Sequence, residues 1–148
     1  MNLNLGKLVL DGKCHVMGIL NVTPDSFYDG GLHFDLEDTQ KRVEAMISEG
    51  VEIIDIGGES TRPGSKPVTI EQELERVISA IKFISEISDI PISIDTQKPE
   101  VARKAIEAGA CVVNDVGGLR NDDMISVVAE MNVPVIIMHM QGTPENMQ

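Results

Sequence analysis

The sequence has no tryptophan, one tyrosine and three phenylalanines, so its core must rest on aliphatic side chains rather than on aromatic packing. It has only two cysteines, Cys14 and Cys111, far apart and in apolar surroundings. The expectation is two reduced, buried thiols and no disulfide. No CxxC or HxxxH spacing occurs, which excludes a zinc site. Positive charge is scarce: 12 Lys and Arg against 24 Asp and Glu leave a net charge of −12. That balance argues against nucleic acid or an anionic membrane as a partner. No stretch approaches the run of about 20 apolar residues that a membrane span needs. The N-terminal MNLNLGKLVLDGK has no long apolar stretch ending in small residues, so a secretory signal is not expected. A cytoplasmic protein is the default.

What is present is a repeating alternation. Short apolar, β-branched runs occur at Val16–Leu20, Glu52–Ile56, Pro91–Ile94, Cys111–Val113 and Val133–Met138. Most are continuously apolar, as strands covered on both faces are. Between them, helical periodicity marks Leu36–Glu49, Ile70–Ile87, Lys98–Ala108 and Asn121–Met131. Thr69 precedes a first turn holding Glu71 and Gln72, Pro99 fits the first helical position, and Gly50 and Gly109 fit positions just past a helix end. The acidic residues fall within such segments, Glu71 to Glu75 among them, and read as solvated helix faces. Ahead of the first strand, Lys7–Leu10 and Gly12–His15 around Asp11-Gly12 predict a small hairpin that plugs the bottom of a barrel.

Strand–helix alternation implies parallel strands joined by right-handed crossovers. Five strands in 148 residues leave two architectures: a complete open doubly wound sheet, or part of a (β/α)₈ barrel, which needs about 250 residues when whole. The sequence runs out at Gly142–Gln148, just past a strand and inside a loop. A final parallel strand would leave apolar faces and an open edge uncovered, so a fragment of a longer protein is the expectation.

In both architectures ligands bind at the carboxyl ends of the strands. The first strand delivers Asn21. The second contains Asp55 and runs into Gly57-Gly58-Glu59-Ser60-Thr61-Arg62. The third ends on Asp95-Thr96, the fourth on Asn114-Asp115, and the fifth on His139. Asp95 and Asn114 leave adjacent strands and can converge. A carboxylate accepts only, whereas a carboxamide both donates and accepts, a combination suited to a flat heterocycle such as a 2-amino-4-oxopteridine. Equally, each could cap its own loop or the next helix.

The loops add further candidates. Phe27, Tyr28 and Phe34 are three of the four aromatics, all in the otherwise polar loop after the first strand; they could cover a ring-shaped ligand or pack a small satellite core. Arg62, beside Pro63, could bind a carboxylate or phosphate bidentately, or form a surface ion pair. Asp55, within its strand, reads as a buried structural carboxylate supporting the second loop. Asp115 either supports the site or bonds to backbone. His139 reads as a structural hydrogen-bonder that could titrate near neutrality. No Ser-His-Asp or Cys-His arrangement can be assembled.

These residues resemble the dihydropteroate synthase family. Val16–Phe27 with Asp29-Gly30-Gly31, Ile53–Gly64, Ile92–Thr96, Val113–Val116 and Met138–Gly142 are similar to five of its segments in the same order. The resemblance covers essentially all 148 residues and implies a truncated (β/α)₈ TIM barrel carrying about the first five strands and four helices, with no second domain. It implies an enzyme joining 6-hydroxymethyl-7,8-dihydropterin diphosphate to 4-aminobenzoate in folate synthesis, with sulfonamides binding on the aminobenzoate side. On this resemblance Asn21 would ligand Mg²⁺, and Asp95 and Asn114 would hold the pterin as the residues closest to the chemistry. Thr61, Arg62, Pro63 and Phe27 would shape the aminobenzoate side.

The family also has a later pterin-binding Asp, a Lys in a Ser-Arg-Lys block and an Arg-x-His pair for the diphosphate, none of which lies in residues 1–148. The loops here offer as cations chiefly Arg62, Lys66, Lys98 and Arg120, so the isolated stretch is expected to be inactive. The family's homodimer forms through later helices. A pterin-dependent methyltransferase barrel is the alternative enzyme, and a non-catalytic half-barrel that binds pterin or self-associates is the alternative class.

Overall fold

The structure, a computed structural model, describes residues 3–22, 36–59 and 67–139. Its strands and helices follow the sequence periodicity closely. A short antiparallel hairpin, β1 (Leu3–Leu5) and β2 (Leu8–Leu10), comes first. Then β3 (Met17–Asn21), α1 (Leu36–Ser48), β4 (Ile53–Gly57), α2 (Ile70–Ile87) and β5 (Ile92–Asp95) alternate. They are followed by α3 (Pro99–Ala108), β6 (Val112–Asp115), α4 (Asp122–Met131) and β7 (Val135–Ile137).

Local chemistry explains the helix boundaries. Thr69 and Gln72 form a reciprocal capping box at the start of α2, each side chain satisfying the other's backbone N–H. Pro99 opens α3, and the Asn121 side chain accepts from the Asp123 N–H to open α4. Gly109, at φ +128°, and Asn132, at φ +49°, follow α3 and α4 in conformations that most side chains resist.

Strands β3 to β7 form one parallel sheet in the unbroken order β3-β4-β5-β6-β7. A doubly wound sheet must reverse its strand order somewhere to place helices on both faces. This order never reverses, and each of α1 to α4 packs beside the next. The architecture is therefore a partial (β/α)₈ barrel.

Parallel register partners project to the same side of a sheet, which separates two layers. Facing the helices are Leu20, Ile54, Ile56, Ile94 and Val113, packed with Val77, Ile81, Ile84 and Val101. Each such side chain contributes about 1.5–3 kcal/mol on burial, so this layer carries the fold. The opposite face presents Met17, Ile19 and Asn21 from β3 and Ile53, Asp55 and Gly57 from β4. It continues with Ser93 and Asp95 from β5, Val112 and Asn114 from β6, and Ile136 from β7.

At the amino ends of the strands this inner face is closed by the hairpin, where Leu5 packs with Ile53 and Val112, and with Leu8, Leu10, Met17 and Cys111 around them. The expected plug is present, but in a different register. The turn falls at Gly6-Lys7, with Gly6 at φ +57°, and Gly12–His15 forms no strand. The cysteine expectation is also corrected: both thiols are free, but Cys14 is exposed and Cys111 half-buried. Cys14 follows the hairpin on an irregular, exposed stretch.

Candidate active site

The carboxyl ends of β3 to β6 bring Asn21, Gly57, Asp95 and Asn114 into one row, each the register partner of the next. Gly57 is the gap in that row. A β-carbon there would lie 3.3 Å from Asn21 Oδ1 and 3.5 Å from Asp95 Oδ2. The two polar ends thus close over a residue without a side chain, leaving a recess between them.

One register step deeper lies Asp55, flanked by Ile19 and Ser93. It is 3% exposed, and Asn114 Nδ2 donates to its Oδ2 at 2.9 Å. Among the described residues Asp55 therefore supports Asn114, a partner that the sequence reading did not assign to it. Burial pushes its carboxyl above the usual range, while the Ser93 hydroxyl and the Asn114 amide work against that rise. Ser93 Oγ and the Oδ1 atoms of Asp55 and Asp95 are buried without hydrogen-bond partners among the described residues. Such atoms are costly to leave unpaired; they mark a polar recess in which the two carboxylate oxygens await donors. Asp95 is pushed up to about 7, first by burial and then by the charges of Asp55, Glu73, Asp115 and Glu59. A perturbed carboxyl of this kind in a strand-end recess is the physical mark of a functional group.

Behind the row runs a second network that periodicity did not reveal. Glu73 of α2, read from sequence as a solvated acid, is 1% exposed. It accepts from the Thr96 hydroxyl at 2.6 Å and from the Lys98 ammonium. Lys98 also donates to Glu59 at 2.5 Å, and Glu59 in turn accepts from the Val68 N–H at 3.1 Å. Arg76 donates to the Gly58 carbonyl at 2.8 Å. These bonds tie the exits of β4 and β5 to α2. A readable signal existed: Glu73 lies on the helix stripe of Val77, Ala80, Ile81 and Ile84, all buried, so its face was never the wet one. Burial opposes the charge of Lys98, but Glu59 and Glu73 outweigh it and hold its pKa above the ordinary value. Lys98 is thereby committed to internal carboxylates, contrary to its reading as a loop cation.

The other candidates separate cleanly. Asp115 is buried and accepts from the backbone N–H groups of Gly117 at 2.7 Å and Leu119 at 2.8 Å; it braces the turn after β6 instead of facing a ligand. His139 is exposed. Phe27, Tyr28, Phe34, Thr61, Arg62, Pro63 and Lys66 lie outside the described residues. No group of three or more His, Cys, Asp or Glu among the described residues is arranged to hold a metal ion. None of the described helices is long and apolar enough to cross a membrane.

A partial (β/α)₈ barrel with an acceptor-rich recess at its strand ends is the framework of a pterin-binding enzyme. The family model described as pterin binding enzyme matches residues 17–148, and the chain belongs to that family. Within it, the chain is 51% identical to the dihydropteroate synthase of Escherichia coli K12 over 134 residues, which are 90% of this chain and 48% of that one. It is 51% identical to the dihydropteroate synthase of Streptococcus pyogenes serotype M1 over 140 residues, 94% of this chain and 53% of that one. Among solved structures, a Yersinia pestis dihydropteroate synthase in a sulfonamide drug complex superimposes with a TM-score of 0.87 at 43% identity, covering 99% of this chain and 54% of that one. A Xanthomonas albilineans dihydropteroate synthase with 4-aminobenzoic acid gives a TM-score of 0.83 at 49% identity, covering 91% and 49%. The chain spans about half the length of these relatives.

Proposed function

We propose that this chain is the pterin-holding half of a dihydropteroate synthase, which condenses 6-hydroxymethyl-7,8-dihydropterin diphosphate with 4-aminobenzoate to give 7,8-dihydropteroate and pyrophosphate. The observation that carries the reading is the inward pair Asp95 and Asn114, register partners at the strand ends. It is supported by relatives whose solved structures hold 4-aminobenzoic acid, 7,8-dihydropteroate and a sulfonamide.

The chemistry follows from the recess. Asp95 and Asn114 accept from the amino and ring N–H groups of the pterin and hold its exocyclic methylene toward the rim. The bond from that carbon to the diphosphate oxygen breaks, and its electron pair leaves with the diphosphate. Positive charge then spreads from the methylene into the ring, where an ionised, half-buried Asp95 favours it. The aniline nitrogen of 4-aminobenzoate forms the new bond and loses a proton, so no strong general base is required. Thr61, Arg62, Pro63 and Phe27 are proposed to shape the side where aminobenzoate and sulfonamides bind, and exclusion of water from the site would keep it from capturing the cation.

A divalent ion fits the donor set at Asn21. Mg²⁺ keeps several waters and takes only one or two protein oxygens beside substrate phosphates, and Asn21 offers one oxygen at the rim. When bound, it would supply charge neutralisation at the leaving diphosphate. Lys98 cannot substitute for it, being held by Glu59 and Glu73.

A chimera tests the proposal. Residues 1–148 would replace the matching half of the Escherichia coli enzyme, and 4-aminobenzoate-dependent pyrophosphate release would be measured. Activity that Asp95→Ala abolishes is the expected result; a folded chimera without activity would overturn the reading.

A further inference from the structure

Asp55 and Asn114 sit on β4 and β6, with β5 between them, yet they are hydrogen-bonded at 2.9 Å. The bond passes over the inner face of β5 between Asp95 and Ser93. Ser93 is fully buried and small, and a larger side chain there would obstruct the span. Reaching across a strand is an unusual course for a carboxamide that could have met solvent or its own loop, so what the bond fixes matters.

A carboxylate has no proton to donate, and only the nitrogen end of a carboxamide can meet it. Asp55 therefore dictates which way round Asn114 stands. One N–H is spent on Asp55 Oδ2; Asn114 Oδ1 faces away from that bond and takes no donor among the described residues. On the neighbouring strand, Asp95 brings a second acceptor in register. The strip offered to a ligand is thus dominated by acceptors, and it matches an edge of N–H groups. Were Asn114 reversed, its two N–H donors would face the ligand and match an edge of carbonyls instead.

We propose that Asp55 is the positioning residue of the site, locking the Asn114 carboxamide so that its carbonyl oxygen and Asp95 together select amino-substituted over oxo-substituted rings. The choice of ring depends on the pterin reading above, whereas the locking does not.

Two measurements on the 148-residue chain test this separately. In the first, NMR follows the Asn114 side-chain amide without any ligand. Its protons are expected to exchange slowly in the wild type and about tenfold faster in Asp55→Ala, as loss of one hydrogen bond implies. Equal exchange in the two would overturn the locking role. If Asp55→Ala fails to fold, Asp55→Leu, which fills the site but cannot accept, serves for the first measurement. In the second, pterin is compared with lumazine, which carries a second carbonyl in place of the 2-amino group. The wild type is expected to prefer pterin, and Asp55→Asn, able to donate as well as accept, should reduce that preference about tenfold. A merely structural role would weaken both rings alike, and that result would overturn the selecting role. Slow amide exchange with neither ring bound would support the lock and count against the pterin reading, so the two can fail independently.

Discussion

Glu73 and Lys98 meet behind the site, a buried carboxylate of α2 against the ammonium that follows β5. The helix thereby grips the loop directly after Asp95, and through Glu59 it grips the exit of β4 as well. Removing Glu73 would leave Thr96 and Lys98 without their buried acceptor. Glu73→Ala is expected to cost about 3–5 kcal/mol in urea unfolding, whereas Glu75→Ala, on the exposed face of the same helix, should stay within about 0.5 kcal/mol. Equal effects would show that the buried network contributes nothing special.

Asp95 links stability to pH in the less common direction. Its folded pKa is raised to about 7 from 3.8, so the folded state holds a proton that the unfolded chain has released. Between those values stability must fall as pH rises. The penalty is complete above about pH 7 and vanishes below about pH 4. Asp95→Asn is accordingly expected to stabilise the protein at pH 8 by on the order of 2–4 kcal/mol, and hardly at all at pH 4. Thermal unfolding at the two pH values checks this, and a stabilisation independent of pH would contradict it. Binding of pterin should run the opposite way, weakening below pH 7 as the acceptor is protonated.

Two adjacent glycines should fail differently. A β-carbon on Gly58 would stand 2.8 Å from Val77 Cγ1 and 3.0 Å from Glu73 Cγ, so Gly58→Ala overpacks the contact with α2 and should cost about 1–3 kcal/mol. On Gly57 the same carbon makes one tight contact, 3.3 Å from Asn21 Oδ1 at the end of a side chain that can yield, and an ordinary one, 3.5 Å from Asp95 Oδ2. Gly57→Ala should leave the melting temperature nearly unchanged and reduce pterin binding at least tenfold by filling the recess. Calorimetry for both properties in both variants separates the cases.

The 148-residue chain alone is expected to release no pyrophosphate above background from the pterin diphosphate and 4-aminobenzoate, with or without Mg²⁺. The described recess holds acceptors, and Lys98, beside it, is already paired with Glu59 and Glu73. A diphosphate ester needs cations that such a recess does not supply. Turnover at rates near those of a whole dihydropteroate synthase would contradict this.

The sequence by itself determined the order of elements, the boundaries of α2 at Ile70 and Ile87, and the polar residues at the ends of β3, β5 and β6. These follow from local rules: apolar period, capping chemistry and the alternation of strand and helix. It also pointed to Asp95 and Asn114 as a pair, because neighbours in a parallel sheet end side by side. Tertiary structure alone decided what Asp55 and Glu73 do. Asp55 reaches Asn114 across 59 positions of sequence, by a bond that depends on the register of three strands and the smallness of Ser93. Glu73 shares the helical stripe of Val77, but that Thr96 and Lys98 meet it there is decided only when α2 is laid on the sheet with that stripe inward. A charge is ordinary or functional according to the solvent it loses, and which residues lose it is set by packing between distant segments, not by near neighbours in the chain.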